Sequence, residues 1–187
     1  MNKAIFLDRD GTINVEKDYL YKIEEFELIP NVINGLRMLQ NSGYLLIIIT
    51  NQSGIARGYY SENDYKKLTA WMLDMFEKEG VRIAGVYYCP HHPKAKIEQY
   101  RIKCKCRKPK LELFLRAVED FNLDLDKSFA IGDKIRDCEI CKESGCQGYL
   151  ISNNEDSNLI EAVKNGEYNR VKYAKDLYTA AIEILSK

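Results

Sequence analysis

The chain carries no surplus charge of either sign: its 187 residues include 28 Lys and Arg against 28 Asp and Glu. A molecule-wide field for nucleic acid or an anionic membrane is therefore not expected, because net positive charge recruits both partners. Long apolar runs are missing too. The longest, Tyr44 to Ile49, falls far short of the roughly 20 residues that cross a bilayer. Met1-Asn2-Lys3-Ala4 leads straight into a strand-like segment, which leaves no room for a secretory leader. A soluble, cytoplasmic protein is expected. The sequence has no internal repeat and no low-complexity linker. Proline is scarce, and three of the four prolines fall between residues 89 and 110. What is present is an ordinary globular balance, 45% hydrophobic and 30% charged. The length suits one domain with a core, or one domain with an insertion.

Strand-like apolar runs occur at 4–7, 44–49, 85–88, 128–131 and 148–151, with a weaker one at 171–173. Helical patterns lie between them. Pro30 sits just before the segment Val32–Gln40, and Gly43 follows it as a stop signal. Ser61 is a candidate N-cap with Asp64 three residues on, a capping box with Asp in the usual place of Glu. The helix it opens would bury Tyr65, Leu68, Met72, Met75 and Phe76 and end at Gly80, with Trp71 and Leu73 also assigned to the core. Further helices are expected at about 111–121, 137–144, 158–164 and 176–186. Strands alternating with helices predict an α/β fold, a doubly wound parallel sheet. Residues 89–110 break the rhythm with three prolines, six lysines and little apolar periodicity. A loop this long needs a staple or a function. The expected organisation is a single domain over 1–187, with a loop insertion at 89–110 and no large cap domain.

In open α/β sheets, ligands bind beyond the carboxyl ends of the strands. The first strand ends in Asp8-Arg9-Asp10-Gly11-Thr12. Positions i and i+2 of a strand point the same way, so both acids would face one site if the extended geometry persists through Arg9. Two such charges repel unless a cation or a shared proton holds them. Mg²⁺ suits both carboxylate and phosphate oxygens. The second strand ends in Thr50-Asn51-Gln52-Ser53-Gly54, and the fourth in Gly132-Asp133-Lys134, with Asp137 four residues after Asp133. Lys108 follows the irregular loop and just precedes a helix. Taken singly, these residues read as a helix cap, a turn acid and a solvated charge. Taken together they meet the needs of phosphoryl transfer. A carboxylate nucleophile forms an aspartyl phosphate, and a second carboxylic acid protonates the leaving alkoxide and then deprotonates water. Mg²⁺ and Lys neutralise charge on the transferring group, and donors such as Thr50 hold its oxygens.

The six cysteines fall into two groups. Cys89-x-His91 and Cys104-x-Cys106 are separated by twelve residues, and Cys₃His is a normal ligand set for tetrahedral structural zinc. His92 is an adjacent alternative to His91. In a reducing compartment such a cluster suggests metal more than disulfides. Four protein ligands leave no open position, so the zinc would be structural, stapling the loop and fixing Arg107 and Lys108 over a phosphate pocket. Cys138, Cys141 and Cys146 have no second ligand cluster and are assigned to helix packing.

These residues resemble the haloacid dehalogenase (HAD) superfamily of phosphatases. Asp8-x-Asp10-x-Thr12 is similar to its first motif, Thr50 to its second, Lys108 to its third and Gly132-Asp133-x-x-x-Asp137 to its fourth. The resemblance implies Asp8 as nucleophile, Asp10 as acid/base, and Thr50 and Lys108 as holders of the phosphoryl group. It implies Mg²⁺ on Asp8, the main-chain carbonyl of Asp10 and Asp133, with Asp137 one layer behind. More narrowly, Phe6 to Asn14, Thr50 to Gly58, Tyr87 to Pro93 and Cys106-Arg107-Lys108-Pro109 resemble the zinc-loop heptose 1,7-bisphosphate 7-phosphatases nearly end to end. That family makes a heptose 1-phosphate for lipopolysaccharide core or other nucleotide-activated heptoses. The resemblance prefers His91 as the zinc ligand. It places substrate contacts on Glu16, Lys17, Asp18, Tyr19, Thr50, Asn51, Gln52, Ser53, Arg107 and Lys134. Arg107 would set selectivity, because a guanidinium grips a second phosphate in a way a point charge does not.

The nearest competing reading is histidinol-phosphate phosphatase, a relative with the same acid motifs and zinc loop. Its cationic substrate calls for acids in the pocket, and Glu16 and Asp18 could supply them. A zinc-stabilised binding module that has lost catalysis is a second alternative, although every expected catalytic position is intact. A nucleic-acid 3′-phosphatase would use similar carboxylates, but the even charge and the lack of a basic, aromatic-rich stripe argue against it. A monomer acting on a small sugar bisphosphate is expected.

Overall fold

The computed structural model describes residues 1–152 and 157–186. Six strands, β1 (Lys3–Leu7), β2 (Tyr44–Asn51), β3 (Ile83–Cys89), β4 (Phe129–Gly132), β5 (Gln147–Ile151) and β6 (Val171–Ala174), form one sheet in the order β3-β2-β1-β4-β5-β6. Every neighbouring pair is parallel. Each strand-like run of the sequence is a strand here, and the sheet is the doubly wound architecture that the alternation predicts.

Period-two alternation sorts the strand residues between two layers. Ile5, Leu7, Leu46, Ile48, Ile131 and Tyr149 pack with α1 (Val32–Asn41), α3 (Glu62–Lys78) and α6 (Leu177–Leu185). Ala4, Phe6, Ile47, Ile49, Ala130 and Leu150 pack with α4 (Glu112–Phe121) and α5 (Ser157–Lys164) on the other face. A chain buried on both faces of a parallel sheet needs nearly continuous apolar strands, which is what Ala4 to Leu7 and Leu45 to Ile49 provide. Ser61 caps α3 as expected: its Oγ accepts from the Asp64 N–H at 3.1 Å, and Asp64 Oδ2 accepts from the Ser61 N–H at 2.9 Å. Such a cap contributes about 1 kcal/mol.

Two elements differ from the sequence expectation. The segment expected as a helix at 137–144 is a 3₁₀ helix over Ile135–Lys142. At three residues per turn, positions i and i+3 eclipse. Cys138 and Cys141 therefore share one buried face against Gly148 of β5. A short helix, α2 (Ser53–Arg57), follows β2 directly, where the sequence was read as a polar strand end. Beyond Cys89, the described residues of the 89–110 segment carry one 3₁₀ turn, Glu98–Tyr100, and no further strand. No helix among the described residues is long and apolar enough to cross a membrane.

The strand order fixes where a ligand would sit. The chain winds outward one way through β2 and β3 and the other way through β4 to β6, so the winding reverses between β1 and β4. At such a switch point the loops diverge and leave a crevice past the carboxyl ends of the strands. Leu7 pairs with Ile131 at that edge, which sets Asp8 and Asp133 side by side.

Candidate active site

Asp8 leaves β1 with its N–H bonded to the Ile131 carbonyl of β4 at 3.1 Å. Its carboxylate, in a residue only 8% exposed, accepts from Lys108 Nζ at 2.8 Å. Lys108 is itself 2% exposed. The same ammonium donates to the Ile49 carbonyl at 2.6 Å and lies 2.8 Å from Asp137 Oδ1. One lysine thus ties the ends of β1 and β2 to the turn after β4. Its main chain is clamped by Asn51, whose side chain accepts from Lys108 N at 3.0 Å and donates to Lys108 O at 3.1 Å. Burial lowers the affinity of Lys108 for its proton, but the charges of Asp137 and Asp8 outweigh it and hold the ammonium above its ordinary range. Asp8 moves the other way. Burial raises it, Lys108 opposes and Asp137 adds, leaving its carboxyl at about 6.

Asp10, two residues on, stands in a different setting. Arg9, 1% exposed, turns back onto it with Nε at 3.1 Å and Nη2 at 2.8 and 2.9 Å from its oxygens. Asn14 Nδ2 donates to Oδ1 at 3.0 Å and Gln52 Nε2 to Oδ2 at 2.9 Å. Burial alone would raise Asp10, but the Arg9 charge and these donors hold it below its ordinary range. Gln52 is oriented in turn by Tyr60, whose hydroxyl donates to Oε1 at 2.6 Å, and Nε2 also reaches Thr50 Oγ1 at 3.0 Å. Gly54 makes room for that tyrosine, since a Cβ there would fall 2.1 Å from the Tyr60 ring.

Asp133 closes the group from β4. Its Oδ2 takes Lys134 Nζ at 2.5 Å, while Oδ1 is buried with no partner. Gly11, at φ +77°, is the close neighbour, and a Cβ there would meet Asp133 Oδ2 at 2.5 Å. Burial, and then the charge of Asp8, raises Asp133 above its ordinary range. Carboxylate oxygens of Asp8, Asp133 and Asp137 lie within 4.8 Å of one another. Asp137 is already engaged on both oxygens, by Lys108 and by the Lys134 N–H at 3.0 Å. The unpartnered Asp133 oxygen lies beside Asp8, and this all-oxygen donor set fits a hard divalent cation such as Mg²⁺.

These groups open into a cavity of about 270 Å³, with Asp8 and Asp10 among its lining residues. Of the other residues singled out from the sequence, Glu16, Asp18, Tyr19, Asn51, Gln52, Ser53, Arg107, Lys108 and Lys134 line it. Burial, and then Asp10, raises the Glu16 carboxyl. Lys17 does not join them: its ammonium pairs with Glu27 Oε2 at 2.8 Å, outside the cavity. Thr50 lies behind the lining, buried against Gln52. Sequence reading missed Arg9, Asn14, Tyr60 and Arg136. Arg9 had a visible signal, a cation between two acids, but strand alternation sends position i+1 to the opposite face.

The cysteine loop gathers the residues its spacing suggested. Cys89 Sγ lies 3.5 Å from Cys104 Sγ and 3.2 Å from Cys106 Sγ, with His91 Nδ1 at 3.3 Å from Cys106 Sγ and 3.9 Å from Cys89 Sγ. Zinc–sulfur bonds of about 2.3 Å put tetrahedral edges near ~3.8 Å, so the four atoms fit one ion. His92 turns away, its Nδ1 accepting from Lys94 N at 3.1 Å. Burial raises the Cys89 and Cys106 thiols, the latter to about 11; a cation at the centre would reverse that. Cys138, Cys141 and Cys146 are buried in the layer behind β4 and β5.

The family model described as Polynucleotide kinase 3 phosphatase matches residues 3–167. A D-glycero-beta-D-manno-heptose-1,7-bisphosphate 7-phosphatase of Haemophilus ducreyi is 47% identical over 144 residues, 76% of this chain and 79% of the relative. The protein of the same name from Pasteurella multocida is 49% identical over 137 residues, 73% of this chain and 74% of the relative. The chain belongs to the HAD-type family of heptose bisphosphate 7-phosphatases. A solved structure of the D,D-heptose 1,7-bisphosphate phosphatase of B. bronchiseptica, complexed with magnesium and phosphate, superposes with a TM-score of 0.82 at 25% identity. It covers 100% of this chain and 99% of the other. In this heptose phosphatase chain, the crevice between β1 and β4 is where the paired acids, the buried lysine and the cavity coincide.

Proposed function

We propose that this chain is a Mg²⁺-dependent phosphatase that removes the 7-phosphate of D-glycero-β-D-manno-heptose 1,7-bisphosphate and leaves the heptose 1-phosphate. The observation that carries this reading is a pair of carboxylates in one cavity with different partners: Asp8 rests on Lys108 beside the unpartnered Asp133 oxygen, and Asp10 is oriented by Arg9, Asn14 and Gln52.

Asp8 attacks phosphorus and the bond to the sugar O7 breaks, giving an aspartyl phosphate. Asp10 delivers a proton to the departing oxygen, then takes one from the water that hydrolyses the intermediate. Lys108 and Thr50 hold the phosphoryl oxygens as charge shifts among them. Mg²⁺, held by Asp8, Asp133 and the Asp10 main-chain carbonyl, would neutralise charge on the transferring group. Arg107 and Lys134 receive the far end of the substrate. Zinc on Cys89, His91, Cys104 and Cys106 is structural: Lys108 lies two residues beyond Cys106, so the staple fixes the register of the lysine. The enzyme acts as a cytoplasmic monomer on a small sugar bisphosphate.

A second reading rests on Glu16 and Asp18, which line the cavity and suit the cationic end of histidinol phosphate. Phosphate release with Mg²⁺ is measured from the β and α heptose 1,7-bisphosphates, histidinol phosphate and a 3′-phosphorylated oligonucleotide. The expected result is preference for the β bisphosphate with its 1-phosphate retained. Preference for histidinol phosphate or the oligonucleotide overturns the heptose reading.

A further inference from the structure

The partly or fully buried cations at this end of the sheet are committed to partners in the fold, with one cluster excepted. Arg9 is spent on Asp10, Lys108 on Asp8 and Asp137, and Lys134 on Asp133. Arg136 lines the same cavity as Arg107 and Lys134. Its Nε is buried without an acceptor, and none of the ion pairs found among the described residues includes it. Arg107 is nearly as free, with one long bond from Nη1 to the His91 carbonyl at 3.4 Å. Behind this wall Arg57 stacks over the Tyr19 ring at 5.8 Å, its own Nε also buried without an acceptor.

Shielding a guanidinium nitrogen from water without an acceptor is unfavourable, and setting it beside two further cations adds repulsion. The arrangement becomes favourable when an anion enters. A phosphate dianion suits it best, because guanidinium nitrogens match two phosphate oxygens at once. The phosphate that is cleaved has its own place, at Asp8 and Lys108. We propose that Arg136, acting with Arg107, grips the phosphate that is not cleaved, and so sets the preference for sugar bisphosphates over sugar monophosphates and cationic phosphate esters. This rests on the bisphosphatase reading above. Arg136 falls at an unspecified position of the Gly132–Asp137 motif and outside the zinc loop, so neither pattern points to it.

The test compares the β heptose 1,7-bisphosphate with heptose 7-phosphate, which lacks only the retained group, in wild type, Arg136→Gln and Arg136→Lys. For Arg136→Gln, KM for the bisphosphate should rise about 10- to 100-fold with kcat within about threefold, while the monophosphate constants stay put. Inhibition by the product heptose 1-phosphate should weaken by the same factor. Arg136→Lys should recover part of the loss, as a charge without the fork. Equal losses on both substrates would mean that Arg136 only supports the turn carrying Asp133, and would overturn the proposal. Unchanged constants would also overturn it. A wild type that turns over both substrates equally well would remove the bisphosphatase reading itself, and the role of Arg136 with it, before any variant is compared.

Discussion

The floor of the cavity and its far wall treat charge in opposite ways. On the floor, Lys108 meets three acceptors and Asp10 is ringed by Arg9, Asn14 and Gln52. On the wall, Arg136 Nε is buried without an acceptor among the described residues and Arg107 has one long bond. A paired buried charge holds its neighbours in place and is lost only at high cost. An unpaired one costs the empty protein little more if it is removed, and waits for a ligand. The floor should therefore answer to mutation in kcat, and in stability too where a buried charge is left stranded, the wall in KM alone. Asp133 Oδ1 is a floor atom that behaves like the wall, buried without a hydrogen-bond partner, and it lies where a metal is expected.

The sharpest break of the floor is Asp8→Asn. Turnover should fall by about a thousandfold or more, while the thermal melt is kept, since a neutral isostere replaces a strained carboxylate. Retained activity would sink the aspartyl-phosphate route. Lys108→Met comes next. It strands Asp8 and Asp137 without their cation, and should cost about 3–5 kcal/mol in a denaturant melt. Added Mg²⁺ should recover part of that loss, because it supplies the missing charge. Chelating zinc should then lower the melting temperature, open residues 92–103 to proteolysis and slow turnover through Lys108. Full rate with an unchanged melt would refute the staple.

On the wall, Arg107→Gln should raise KM for the bisphosphate about tenfold and leave stability within about 0.5 kcal/mol. A loss of kcat equal to that of a floor variant would erase the distinction. The smallest effect belongs to Tyr60→Phe, which frees the Gln52 amide to rotate. A few-fold loss of kcat and about 1 kcal/mol of stability are expected; a change in KM alone would put Tyr60 on the wall instead.

What could be read in the sequence was what repeats or sits at fixed spacing. Alternating strands and helices are local signals; Asp8, Thr50 and Asp133 follow from strand ends, and Lys108 from its place between the irregular loop and a helix. Cys89, His91, Cys104 and Cys106 announce themselves in a polar loop. Tertiary positions without a period were illegible. The thirteen tyrosines show why: helical spacing marks Tyr65 alone as core. Yet Tyr21 stacks on Tyr60 at 5.4 Å, Tyr65 on Tyr88 at 4.4 Å, and the hydroxyls of Tyr88 and Tyr100 both donate to Glu62. They pack a satellite core between the site and the zinc loop, assembled from segments with no common pattern. Arg9 was hidden by the alternation rule, which fails where the strand gives way to a turn. Lys17 was carried in with its neighbours and instead pairs with Glu27.

The strand that delivers Asp8 is the first in the chain and lies at the centre of the sheet, with β2 on one side and β4 on the other. Its second neighbour begins at Phe129. A ribosome adding about 5–20 residues per second reaches that point on the order of ten seconds after β1 emerges. For that interval a strand that is buried in the finished sheet has an unpaired edge, and its leading carboxylate lacks Asp133 beside it. The nascent chain is thus exposed to mispairing at the element that carries Asp8. Slow translation or a chaperone acting before residue 132 should therefore govern how much enzyme is made, even where the finished enzyme is stable.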